Sequence, residues 1–156
     1  MRLGSRLAAV REWLATVVAA WRYLSSFEPS LVDPRRLPLE LAARRSEKRQ
    51  LQLGVDSVAR IIYLVGKVML PRPRQLCLAR AGCLATLWSD HWGQPTVNIG
   101  VDPKAPEGVA GHVWISIGER VPWRADELAR ERFGLLMGED DGIRFWIVAP
   151  PGGHLE

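Results

Sequence analysis

The chain has 156 residues, 47 % of them hydrophobic and 24 % charged, with a formal net charge of +4. That is long enough to bury a real core and excludes a disordered or fibrous protein. The positive charge is spread along the whole chain, which argues against a nucleic-acid-binding surface. Two cysteines six positions apart make no disulfide framework, so a reducing, cytoplasmic setting is expected.

The N-terminus opens with Arg2 and Arg6 before an apolar stretch, but Arg11 and Glu12 interrupt it, and Trp13 to Trp21 is too short to span a bilayer. Leu7, Val10, Leu14, Val17, Trp21 and Leu24 recur every three or four residues, predicting a helix over 5–25 with that stripe buried. Membrane association is not expected. Pro29, Pro34 and Pro38 make residues 26–40 a linker or loop. From Leu39 to Leu70 the helical spacing returns, with Leu51, Val55, Val58, Ile62, Val65 and Met69 on one stripe, until Pro71 and Pro73 end it. This gives a helical region over 1–70, a core over 71–148 and a loose tail over 149–156.

The core region begins with a third helix, Leu76 to Trp88, whose Ala79, Ala81, Gly82 and Ala85 permit close packing. Thr96 to Val101 reads as a strand. His112 to Ile117 alternates, with His112, Trp114 and Ser116 on one face and Val113, Ile115 and Ile117 on the other. A short strand at Val121–Trp123, a helix at Asp126–Phe133, a turn at Gly138–Gly142 and a last strand at Ile143–Val148 complete the reading. Helices followed by a small antiparallel sheet make an α+β fold.

Cys77 at a helix start and His112 on a strand have the placement of a nucleophile and its base. Free cysteine is mostly thiol at neutral pH. A helix N-terminus and an imidazolium both favour the thiolate, and unpaired first-turn amides can receive a developing oxyanion. Arg74 and Arg80 add positive potential, and Trp114 shares the face of His112, so Arg80 and Trp114 are expected to contact substrate. Taken singly, Cys77 reads as a core thiol and His112 as a structural histidine. Cys83 is expected to be a core thiol. A zinc site from Cys77, Cys83, His91 and His112 has no common ligand spacing, and neither metal nor cofactor is expected. His91 fits a helix C-terminus, and His154 lies in the tail.

Cys77-Leu-Ala-Arg80-Ala, Gly93-Gln-Pro-Thr-Val-Asn-Ile-Gly-Val101 and Gly111-His112-Val-Trp-Ile together resemble the transglutaminase-like leader peptidases of lasso-peptide biosynthesis, over roughly residues 70–125. In that family a Cys-Leu-x-Arg-Ala helix start and a His-Ala-Trp-Val strand hold the catalytic pair. The resemblance implies a transglutaminase-like or papain-like core, with a leader-recognition protein and a macrocyclase as partners of a precursor peptide. The family places an orienting aspartate about a dozen residues after the histidine, where this chain has Arg124. Asp126, Asp102 and Glu119 are the alternatives. Asp102 would give the Cys–Asp–His order of a sister group, the Dieckmann cyclases that release tetramates and pyridones from an acyl carrier protein. Loss of the third residue would fit a non-catalytic binding protein of the same fold.

Overall fold

The computed structural model describes residues 3–28, 52–69, 76–102, 110–123, 133–140 and 143–148. Within these the chain forms helices α1 (Leu3–Ser25), α2 (Val55–Met69) and α3 (Leu76–Thr86), a single 3₁₀ turn at Asp90–Trp92, and strands β1 (Pro95–Asp102), β2 (Ala110–Ile117), β3 (Leu135–Asp140) and β4 (Ile143–Ile147). The fold is α+β. The predicted helical stretch 39–51, residues 29–40 of the predicted 26–40 loop, residues 126–132 of the predicted short helix, and residues 149–156 of the tail lie outside the described residues.

α2 buries Val55, Val58, Ile62 and Val65 at helical spacing, as their periodicity predicts. Asp56 in its first turn and Lys67 in its last complement the helix dipole. Two of these side chains, Val58 and Ile62, are wholly excluded from solvent, and each such burial stabilises by about 1.5–3 kcal/mol.

α1 buries only one end of the predicted stripe: Leu24 is buried and Val17 half-buried as expected, but Leu7, Val10, Leu14 and Trp21 are about half exposed or more, and Thr16 and Ala20 are buried in their place. The small side chains decide this. Thr16 folds its hydroxyl back to the Glu12 carbonyl at 2.9 Å, and Ala20 lets the helix come close to its neighbours. The Tyr23 hydroxyl fills the space where Gly82 of α3 lacks a Cβ. A helix that is apolar on two sides packs with the side that allows the nearer approach. Glu12 also fixes the entry to α2 by accepting the Leu53 amide at 3.0 Å, while the Trp92 indole donates to the Leu53 carbonyl at 3.0 Å.

The sheet order is β2-β1-β4-β3. β1 pairs antiparallel with β2 and parallel with β4, while β3 and β4 form an antiparallel pair with an irregularity between Leu136 and Gly138. The sheet is therefore mixed, not antiparallel as predicted. The β3–β4 pair lays its second strand along the free side of β1, and a five-residue apolar strand carries no pattern that reveals its direction. β3 itself replaces part of the predicted turn. Its Gly, Glu and Asp depress strand propensity, yet they suit an exposed edge, where charge opposes further pairing. Val121–Trp123 is not a strand; a single bridge between Ile117 and Arg120 closes the turn there.

One hydrophobic cluster runs through all three helices and the β1–β2 pair, including Leu24, Ile62, Cys83, Val97, Val113 and Ile115. The opposite face of the sheet carries His112, Trp114, Asn98 and Trp146. No helix among the described residues is long and apolar enough to cross a membrane.

Candidate active site

α3 begins at Leu76, so Cys77 stands in its first turn, where backbone amides have no intrahelical acceptor. β2 is the edge strand of the sheet and packs against α3. This brings the Cys77 sulfur to the His112 ring and to the Val113 amide. Burial raises the Cys77 pKa. The hydrogen bond and charge of His112, with the Val113 and Leu78 amides, outweigh burial and hold the thiol below its ordinary value. Cys83, two turns along the same helix, has burial alone, which pushes it up to about 12. Both cysteines are free.

His112 is held by aromatic rings. Phe133 stacks on it nearly parallel, with centroids 6.4 Å apart and planes at 12°, and Trp114 lies 5.7 Å away at 31°. Phe133 also stacks on Trp114 at 5.9 Å. The ring reaches this position because β1 has Gly100 directly across from His112. A Cβ at Gly100 would lie 2.7 Å from the Phe133 Cγ. Trp114, expected to contact substrate, is only 1 % exposed and instead backs the imidazole.

Asn98 organises the same face from below. It is buried, donates to the Ser116 hydroxyl at 3.0 Å and the Thr96 carbonyl at 3.1 Å, and accepts the Trp146 indole N–H at 2.9 Å. Asn98, Gly100 and Phe133 were not singled out from sequence. A glycine inside a strand pattern was the available signal, because it marks a bulge or a close approach.

Asp102 is buried at the end of β1, paired with Ala110. Being two positions from Gly100, it shares the His112 face as a diagonal neighbour across the strands. Asp126 and Arg124 lie outside the described residues. Glu119 is in the turn after β2 and faces Arg144 at 3.7 Å, with a side chain that is 76 % exposed. Arg80, one turn after Cys77, places its guanidinium over the rings of Tyr63 at 4.7 Å and Trp123 at 5.0 Å. His91 pairs its Nδ1 with the Ser89 hydroxyl at 2.8 Å in the 3₁₀ turn, not at a helix end. Among the described residues no group of three His, Cys, Asp or Glu side chains is placed to hold a metal ion.

The fold and site define an α+β protein with a cysteine and a histidine paired between a helix start and a sheet edge. No family profile, curated protein or solved structure matches the chain.

Proposed function

We propose that this chain is a cysteine-nucleophile acyl-transfer enzyme with a transglutaminase-like core, acting as a leader peptidase on a ribosomally made peptide of the lasso type. The observation that carries this reading is the Cys77 thiol in the first turn of α3, bonded to His112 and held below its ordinary pKa. The Cys77 thiolate attacks the amide carbon at the leader–core junction, forming a C–S bond and an oxyanion. The Leu78 and Val113 amides are positioned at the sulfur, beside that oxyanion. The intermediate collapses with cleavage of the C–N bond, and the His112 imidazolium gives its proton to the leaving amine. His112 then takes a proton from water, which hydrolyses the thioester and restores the thiol. A leader-recognition protein and a macrocyclase are the partners this reading calls for, in the cytoplasm.

Asp102 supports a second reading. A buried carboxylate on the His112 face, lying between cysteine and histidine in the chain, fits the order of the Dieckmann cyclases. In that case Cys77 takes the acyl chain from a carrier-protein thioester. A carbanion within the chain displaces the sulfur, forming a carbon–carbon bond and regenerating the thiol.

Intact-protein mass spectrometry of the chain with a leader–core peptide and with an acyl thioester separates the readings. A cut peptide supports the peptidase and a released cyclic ketone the cyclase. Absence of both product and Cys77 adduct with either substrate refutes both and leaves a binding protein. Asp102→Asn lowers turnover by orders of magnitude if that residue orients His112; unchanged turnover removes it from the site.

A further inference from the structure

A cleft of about 860 Å³ lies between α1, α2 and the segment after β2. Trp13 of α1, Leu64 of α2 and Pro122 form its apolar walls, and Tyr63 and Trp123 line its inner side. Trp13 and Leu64 are 45 % and 53 % exposed, a large apolar area for residues on a concave surface. The mechanism above uses none of these residues. Neither Cys77 nor His112 lines the cleft, but its inner side adjoins the helix that carries the nucleophile. Tyr63 and Trp123 are the two rings that hold the Arg80 guanidinium, and Arg80 lies three residues after Cys77 on the same side of α3.

Charge narrows what the cleft takes. The Asp56 carboxylate on its wall is already paired with Arg120. Arg60, one turn further along α2 and also in the lining, has no ion-pair partner among the described residues. An apolar trough with one cation at its margin is complementary to a segment that combines a bulky apolar side chain with a carboxylate.

We infer that this cleft is the recognition site for the substrate's non-reacting part: a peptide segment with a large apolar residue seated between Trp13, Leu64 and Trp123 and an acidic residue facing Arg60. This rests on the peptidase reading, which supplies a peptide as the acyl donor. Binding the remote segment there while the scissile bond lies at Cys77 would direct binding energy to positioning at the thiol.

The test uses the full chain carrying Cys77→Ala, which binds without turnover. Two fluorescein-labelled dodecapeptides serve as probes, identical except that one has Phe and Glu three residues apart and the other Phe and Lys. Fluorescence anisotropy is expected to show the Phe/Glu peptide binding at least tenfold more tightly. Arg60→Glu reverses the preference and Leu64→Asp weakens both peptides at least tenfold, with circular dichroism and unfolding midpoints confirming that both variants fold. Equal binding of the two peptides, no binding of either, or binding indifferent to both substitutions overturns the cleft. The acyl-transfer reading is judged separately, on the chain with Cys77 intact. Peptide binding in the cleft without cleavage or any Cys77 adduct sinks that reading and leaves the cleft; cleavage or an adduct with cleft-independent binding does the reverse.

Discussion

Gly100→Ala is the substitution that most directly tests how the site is held. An ideal Cβ at this position lies 2.7 Å from the Phe133 Cγ and 2.8 Å from both Cδ atoms. Carbon atoms pack comfortably from about 3.5 Å, so ring and backbone must separate by about 0.8 Å. Phe133 cannot retreat freely, because it is buried and stacks on both His112 and Trp114. Overpacking of this kind costs about 1–3 kcal/mol, against a gain of about 0.4–1 kcal/mol from the stiffer unfolded chain. A net loss of about 1–2 kcal/mol is expected, or roughly 3–6 °C in Tm for a chain of this size.

The displacement should also reach the chemistry, since the ring that moves is stacked on His112. Two measurements follow: thermal unfolding, and the rate of Cys77 alkylation by iodoacetamide at neutral pH, which is expected to fall. In a Phe133→Leu background the contact is relieved, so the same Gly100→Ala change becomes nearly neutral, giving a coupling energy of comparable size. A Gly100→Ala protein as stable as its parent would refute the packing argument. Lost stability with unchanged alkylation would refute the link from Phe133 to His112.

Removing His112 leaves burial acting on the Cys77 thiol with only two amides opposing it, so His112→Ala moves the midpoint of the alkylation pH profile upward. The rate at neutral pH falls with it, tenfold per unit wherever the midpoint lies above the assay pH, and an unmoved midpoint would contradict the assignment. Cys83 acts on stability instead. Its folded pKa is raised to about 12 from an ordinary value near 9, so the unfolded thiol loses its proton first as pH rises. Stability attributable to Cys83 is therefore intact below pH 9 and declines by about 1.4 kcal/mol per unit between 9 and 12. Urea unfolding of parent and Cys83→Ala across that window should show the parent declining more steeply by that amount; parallel curves would refute it. Asn98→Leu strands the Trp146 indole N–H and disturbs Ser116, at a cost of about 1–3 kcal/mol for each buried polar group left unsatisfied. A variant with an unchanged urea midpoint would show that this network contributes nothing.

The elements with strong periodicity were legible in the sequence. α2 ends where Pro71 and the spacing of Val58, Ile62 and Val65 place it, and β2 follows the alternation from His112 to Ile117. The meeting of Cys77 with His112 was an inference from residue types, and the packing of α3 on the edge strand supplies its geometry. Two kinds of information were missing. The buried face of α1 depends on which neighbour comes near, and no single-helix pattern contains that; Tyr23 and Gly82 matter only as a pair. The parallel pairing of β1 with β4, and β3 beside it, likewise belong to long-range pairing rather than to local propensity. Trp114 was misjudged for a related reason. Alternation tells which residues share a face with His112, but not that Phe133 would cross Gly100 and cover that face.

Cys77 and Cys83 show what position adds to residue type. Both lie on α3, Cys83 buried and Cys77 half-buried, and burial alone drives each thiol toward its protonated form. For Cys83 nothing opposes that, and the result is an inert core side chain. For Cys77 three things oppose it together: a helix start, an edge-strand amide and an imidazole. Each has a separate structural origin. The helix start follows from the prolines that end α2 and precede α3; the Val113 amide is supplied by β2, which lies at the edge of the sheet; the imidazole is fixed by a ring that only Gly100 admits. Reactivity at Cys77 should therefore be lost through any of these routes, including one that changes no group in contact with the sulfur. The Gly100→Ala protein is that case. Its thiol, histidine and both amides are all retained, so a slowed Cys77 there can only come from their placement.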